Sequence, residues 1–444
     1  MAFQSEDLPA GTRIGILRTK EGYAPSAQDM SVSLRASQGA SKWFEAPCFC
    51  LNRRRNLDRY VISGGKRLRC GVTTGTCAAA AARAAAELLL TGAAPDAVEL
   101  SVPAGGSVRI LVERAELREG TARCCVRKDA GDDPDVTDGA EIWAEVSPSP
   151  TPGVEIDGGT GVGRVTLPGL DQPVGSAAIN SVPRRMIREA VEAACRNRNC
   201  PNGFRVIITI PEGEALARKT FNSRLGIVGG LSVLGTSGIV EPMSEQALIE
   251  SIRVELKQRA ALGRRTLLLT PGNYGRDFLL TETALPDAAI IRCSNFIGDA
   301  LDSAAELGFQ DVLLTGHLGK LVKLAGNMFN THSRWGDCRM DILTAHAACA
   351  GVRAGAAQEM LAAATVDRAL DVLEPEGLLE PVLESLLTAI ERNLRARTGR
   401  DIPVLLFTNV RGALIRSRGF DAGMKRLLEE EEHGTFCRRG PGGH

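Results

Sequence analysis

Val312-Leu313-Leu314-Thr315-Gly316-His317-Leu318-Gly319-Lys320 decides the fold class of the second half of the chain. Its leading residues are apolar without alternation, the pattern of a strand buried on both faces. A small, polar turn follows, and from Leu318 the pattern becomes helical. The same succession recurs in Thr266-Leu267-Leu268-Leu269 before Thr270-Pro271-Gly272-Asn273-Tyr274-Gly275. Ala288-Ala289-Ile290-Ile291 precedes Cys293-Ser294-Asn295, and Val404-Leu405-Leu406-Phe407 precedes Thr408-Asn409. Helical patterns at Ala247 to Leu262 and Phe296 to Leu307 separate these runs. Strands alternating with helices predict a Rossmann-like α/β domain with a mainly parallel sheet. Its span is set at residues 204–444, with Val206-Ile207-Ile208-Thr209-Ile210 as the opening strand. A helical insertion is expected over about 341–400, and a short tail at the C-terminus.

Upstream, the rhythm is different. Thr73-Thr74-Gly75-Thr76 precedes an alanine-rich segment reaching Leu90, with Gly92 beyond it. Hydroxyl N-caps and a glycine stop mark a helix. Val98, Leu100 and Val102 alternate, as do Val108, Ile110 and Val112, across Pro103-Ala104-Gly105-Gly106, a hairpin signal. Further strands at Cys124 to Val126 and Ile142 to Val146, and a helix after Pro183, predict an α+β domain over residues 58–203. Residues 1–57 show no sustained period and predict a flexible extension, closed by Arg53-Arg54-Arg55.

Composition narrows the function classes. The chain has 444 residues, 53 Lys+Arg against 53 Asp+Glu, and 4% aromatics. Neutrality argues against a general nucleic-acid binder, and no stretch is apolar enough to span a membrane. Lysines number 9, so 53 − 9 leaves 44 arginines. That bias reads first as GC-rich coding; the functional alternative is bidentate binding of carboxylates or phosphates. The 12 cysteines form no disulfide framework, no signal peptide is evident, and a reduced cytoplasm is the expected compartment. Cys48-x-Cys50, adjacent Cys124 and Cys125, and the His317, Asp337, Cys338, His332 and His346 region match no metal spacing. No protein-bound metal is predicted.

Ligands of open α/β sheets lie beyond the carboxyl ends of the strands. The polar turns there nominate one shared crevice. Gly158-Gly159-Thr160-Gly161-Val162-Gly163 opens no helix and is no nucleotide loop, and Gly229 to Gly238 is not G-x-G-x-x-G. Gly326 to His332 is polar enough to border a site. Asp129, Asp132, Asp133, Asp135 and Asp138 crowd one loop without calcium spacing, leaving solvation, substrate N–H groups or a cation as their partners.

Taken together, the motifs resemble the CbiD family, the cobalt-precorrin-5B methyltransferases. The likeness is collinear from about Asp58 to Asn409. It runs through Lys66 to Ala81, Lys128 to Thr137, Gly161 to Thr166, Pro183 to Ile187, Leu234 to Val240, Thr270 to Asn273 and Gly316 to Lys320. Residues 1–57 lie outside it, and Asp138 stands where the family pattern leads one to expect His. The resemblance implies S-adenosylmethionine-dependent methylation of ring carbon 1 of an anionic, cobalt-bound tetrapyrrole in anaerobic cobalamin synthesis. The cobalt then belongs to the substrate. On that reading Gly235, Thr236, Ser237, Gly272, Asn273, Ser294, Asn295, Thr315 and Gly316 face the methyl donor. Thr73, Thr74, Thr76, Asp132, Asp133, Arg164, Arg184, Arg185 and Arg224 face the tetrapyrrole, and His317 handles protons. Arg276 is a further candidate clamp. A nicotinamide-dependent tetrapyrrole oxidoreductase and a non-catalytic tetrapyrrole carrier are the alternatives. Neighbouring pathway enzymes and a second copy of the chain are candidate partners.

Overall fold

The alanine run folds as an 18-residue helix, Thr74–Thr91, which starts at the Thr73 cap and stops at Gly92 in the left-handed region. Alanine side chains let neighbours approach closely. The helix packs on a second one, Ser181–Cys195, and on the strands Thr121–Arg127 and Glu141–Ser149. These strands belong to a five-stranded sheet in the order Arg114–Arg118, Thr121–Arg127, Glu141–Ser149, Gly203–Thr209, Gly153–Gly158. The expected hairpin is present, with Val98 opposite Ile110. The structure, a computed structural model, describes residues 57–438 apart from 197, 199 and 201. The expected extension, Cys48-x-Cys50 and the arginine triplet therefore lie outside the described residues, save Leu57.

One strand is displaced from its expected place. Gly203–Thr209 does not open the second sheet; it lies between Glu141–Ser149, antiparallel, and Gly153–Gly158, parallel. The reason is its one-sided burial. Phe204, Val206, Ile208 and Ile210 enter the core around the alanine helix, whereas Arg205 is exposed. Ile207 made the segment read as a continuous apolar run. The first core also extends beyond residue 203. Ile239–Val240 pairs with Gly71–Val72, Gly230–Leu231 with Gly161–Val162, and Ile227–Val228 with Arg164–Val165. The boundary expected at 203/204 therefore falls near Val240 in packing terms.

The second sheet runs Ile290–Arg292, Thr266–Thr270, Asp311–His317, Val404–Thr408, Gly412–Arg416. Its first four strands are parallel, and the last is antiparallel to its neighbour. Alternate residues serve opposite faces. Leu267, Leu269, Leu314 and Leu406 enter one apolar cluster, and Leu268, Leu313, Leu405 and Phe407 another. Burial on both faces explains the uninterrupted apolar runs. The stretch expected to be helical contains Arg339–Cys349, Ala354–Leu361, Val366–Leu373 and Leu379–Thr398, packed on the first of those clusters. Close to where the short tail is expected, the described residues end in a helix, Phe420–Arg438. Phe420, Met424 and Leu427 of that helix cover the other face, a helical spacing hidden among acidic neighbours.

Loops join the two cores. Arg224 donates to the carbonyls of Asp287 and Ile290 at 3.4 Å each, and Gln258 Nε2 donates to Leu225 O. The fold is thus of mixed α/β content with a sheet containing parallel strands. Among the described residues, no helix is long and apolar enough to cross a membrane.

Candidate functional site

Parallel strands deliver their carboxyl ends to one edge, and the second sheet brings several predicted residues there. Thr270 ends one strand, Thr315-Gly316-His317 ends its neighbour, and Cys293-Ser294-Asn295 follows Ile290–Arg292. Gly272 has φ +84°, and a Cβ there would meet only Lys320 Nζ within 4 Å, at 3.3 Å. The space in front of this turn is open. Ser294 also occupies the left-handed region, φ 53°, an uncommon place for a residue with a side chain. That turn places Asn295, whose Oδ1 accepts from Lys320 Nζ at 2.9 Å and from Thr331 Oγ1 at 3.3 Å. Thr331 N–H donates in turn to Asn295 O. A cavity of about 440 Å³ opens here, lined by Asn295, Lys320, Lys323, Thr331, His332 and Arg339 among others.

Two features of this edge are unusual. Thr270 and Thr315 are fully buried, and neither hydroxyl finds a hydrogen-bond partner among the described residues. Buried polar atoms are nearly always satisfied, so such pairs mark strain or ligand contact. Gly275 packs directly over Thr270 Oγ1, where a Cβ would collide.

His317 is built as a cap. Its Nδ1 accepts the Gly319 N–H at 3.0 Å, and its ring meets Phe407 edge-on with centroids 5.6 Å apart. Burial pushes its pKa below the ordinary range. With Nδ1 accepting, the neutral ring carries its proton on Nε2 and presents a donor rather than a base.

Other predicted residues gather elsewhere. Gly235, Thr236 and Ser237 do not join the strand ends; they lie against the start of the alanine helix. Thr73 N–H donates to Gly238 O, Gly75 N–H to Leu234 O, and Thr76 Oγ1 to Gly238 O at 2.7 Å. Thr73 Oγ1 accepts the Thr76 N–H, and Thr73, Thr74 and Thr76 are all buried. Gly235, at φ 138°, lies so close to Thr73 that a Cβ would overlap its side chain. This loop is a lock on the helix cap.

The acidic loop is likewise tied internally. Asp129 grips the Arg69 guanidinium through both oxygens at 2.6 and 2.7 Å, and Asp132 accepts the Arg69 N–H at 2.6 Å. Asp133 accepts the Met243 N–H, Asp138 the Ala130 N–H, and Asp135 pairs with buried Lys128 and with Thr137. Lys128 and Thr137 hold the Asp135 carboxyl below the usual range despite its burial, which acts the other way. Asp132 and Asp133 each have one oxygen engaged in the fold.

Most of the nominated arginines also have partners. Arg164 pairs with Asp157 at 2.7 and 3.0 Å, and Arg184 donates to the carbonyls of Ile156, Ala177 and Ile179. Arg224 binds carbonyls as above, and Arg276 pairs with Asp287. Arg185 is exposed, with Glu189 only at 3.8 Å. Sequence reading missed Arg292, which reaches Asn273 Oδ1 at 3.2 Å and lies over the Phe221 ring. It also passed over the roles of Lys320 and Lys323. In a chain with 9 lysines, two of them spaced i, i+3 behind a strand end were the available signal. Among the described residues, no three His, Cys, Asp or Glu side chains gather to hold a metal ion.

The CbiD family model matches residues 61–242, and that of its C-terminal domain matches residues 330–418. A protein of Ruminiclostridium cellulolyticum named cobalt-precorrin-5B C(1)-methyltransferase is 42% identical over 385 residues, covering 85% of this chain and all of that protein. The chain belongs to the CbiD family. A Thermoanaerobacter CbiD relative of the same name is 45% identical over 322 residues, covering 72% of this chain and 87% of its own length. The crystal structure of the cobalamin biosynthesis protein CbiD from Archaeoglobus fulgidus is 30% identical and covers 62% of this chain and 87% of that one, with a TM-score of 0.35. The first CbiD match ends at residue 242, close to where the first core closes at Val240. Asn295 and Lys320 lie between the two matched CbiD ranges, and Thr331, His332 and Arg339 lie inside the second.

Proposed function

We propose that this CbiD chain is a cobalt-precorrin-5B C(1)-methyltransferase. It transfers a methyl group from S-adenosylmethionine to ring carbon 1 of the cobalt-bound, ring-contracted tetrapyrrole, giving cobalt-precorrin-6A in anaerobic cobalamin synthesis. The observation that carries this reading is a likeness at 42% identity that spans the whole of a relative bearing that name. In this reading the chain is an α+β domain followed by a Rossmann-like domain, each contributing a side of the site.

The strand-end edge suits a small donor molecule. Open space before Gly272 and the Asn295–Lys320 pair offer both room and polar contacts. When bound, the donor supplies an electrophilic methyl group on a sulfonium sulfur. The protein's own task is alignment and exclusion of water, because an electron-rich ring carbon needs no activated side-chain nucleophile. Arg185, exposed with Glu189 at 3.8 Å, and Arg292, which bonds the Asn273 amide oxygen, are placed to meet the acetate and propionate arms. His317 Nε2–H offers a hydrogen bond, while its cap keeps the ring fixed.

Incubation of cobalt-precorrin-5B with the protein and methyl-labelled S-adenosylmethionine is expected to add one methyl group by mass spectrometry, mapped to carbon 1 by NMR. An unmodified ring sinks the proposal. Placement of the donor is tested by Asn295→Ala. Unchanged affinity for S-adenosylhomocysteine and unchanged turnover would refute it.

A further inference from the structure

We propose that Lys320 and Asn295, backed by Lys323, form a carboxylate-recognition site at the cavity beside the strand ends. The assignment rests on the methyltransferase reading for the identity of the molecules that bring the carboxylate. Lys320 and Lys323 are one turn apart on the helix Leu318–Ala325, and both line the cavity. Among the described residues, the lysine ion pairs are Lys128–Asp135 and Lys425–Glu429, so neither cavity lysine has a carboxylate within 4 Å; Lys323 feels only the more distant charge of Asp337. Their partners are neutral. Lys320 Nζ donates to Asn295 Oδ1, and Lys323 Nζ to the carbonyls of Thr331 and Gly336 at 3.1 and 2.8 Å.

Nearby groups leave this charge unbalanced. Asp337 also lines the cavity, but Arg339 holds both its oxygens at 2.6 and 2.8 Å. The Cys293 thiol is pushed up to about 12 by burial and remains protonated. His332 Nδ1 accepts the Arg334 N–H. Lys323 is 3% exposed, so its ammonium has lost most of its hydration. Unpaired buried cations are costly, and an incoming anion removes that cost. Asn295 adds geometry. Its Oδ1 faces Lys320, and its amide nitrogen makes no bond among the described residues, leaving two N–H donors beside the ammonium. The cavity, about 440 Å³, suits a side arm or an amino-acid end rather than a whole macrocycle. Two sources share this chemistry: the α-carboxylate of the methyl donor and an acetate or propionate arm of the ring.

The test uses the full chain carrying Lys320→Met, with Lys320→Gln as a second uncharged variant and Lys320→Arg as the charge-retaining control. Calorimetry follows S-adenosylhomocysteine and its decarboxylated analogue, and steady-state kinetics follow the tetrapyrrole. Loss of about tenfold or more in S-adenosylhomocysteine affinity, with the decarboxylated analogue unaffected and Lys320→Arg near wild type, assigns the site to the donor. Unchanged S-adenosylhomocysteine affinity with a raised KM for the tetrapyrrole, at unchanged kcat, assigns it to a ring arm. Wild-type binding and kinetics reproduced by both uncharged variants overturn the site alone. A wild-type protein that binds neither molecule overturns the methyltransferase reading and this site with it.

Discussion

His317 stands at the carboxyl end of the central strand of the second sheet, with its Nδ1 bonded to Gly319 N–H and its ring against Phe407. Burial disfavours its charged form, and the same holds for His346, which bonds Ser385 Oγ. Both folded pKa values lie below the ordinary 6.5, so the unfolded chain takes up these protons first. The stability they contribute is complete above about pH 6.5 and is lost as pH falls through the lower folded values. The melting temperature is therefore expected to drop as pH falls below about 6.5, and His317→Gln should flatten that drop. An equal slope in both proteins would refute the assignment. At this scale the sequence was informative where function follows position along a strand: Asn295, Thr315 and His317 lie at the edge expected of them. Pairing was not legible. Nothing in the spacing of Arg164 or Arg184 says that Asp157 and three carbonyls already hold them, because the turns that fold those nearby partners back onto the guanidinium groups follow no periodic pattern.

At the scale of the element, the alanine helix is the most constrained piece of the fold. Ala78 to Ala82 and Ala84 to Ala86 have no exposed surface, because a helix, two strands and a hairpin all approach its backbone. Ala81→Leu adds volume where no side chain can move aside. It should cost about 1–3 kcal/mol, read as a lower denaturant midpoint at unchanged slope. A neutral outcome would mean that the helix has slack on that face. This helix was plain in the sequence, from its threonine cap to Gly92. The strand Gly203–Thr209 was not assigned to its sheet, since one apolar residue on its outer face, Ile207, erased the alternation that distinguishes a one-sided strand from a two-sided one. The terminal helix was hidden for the opposite reason, its apolar positions being diluted by Glu429 to Glu432.

At the scale of the molecule, that terminal helix is fastened to the amino ends of the second sheet. Glu431 binds Arg259 and Arg264 in a buried cluster, and Glu430 accepts from the Arg265 and Thr266 amides and from Thr266 Oγ1. Glu431→Ala leaves two buried guanidinium groups without that carboxylate. The expected loss is roughly 3 kcal/mol in global stability, measurable by chemical denaturation. A change below about 1 kcal/mol would show that water reaches the arginines.

The cap of the alanine helix comes from far along the chain. Thr76 Oγ1 reaches Gly238 O across 162 positions, and Gly71–Val72 closes on Ile239–Val240. A ribosome releases the chain from its N-terminus, so the helix emerges long before the segment that locks it. Until residue 240 clears the exit tunnel, the first core has an open seam along its most apolar helix. Translation through the intervening stretch is thus the interval in which the nascent chain is most exposed to misassembly, and the pace of synthesis there becomes part of how this enzyme reaches its native state.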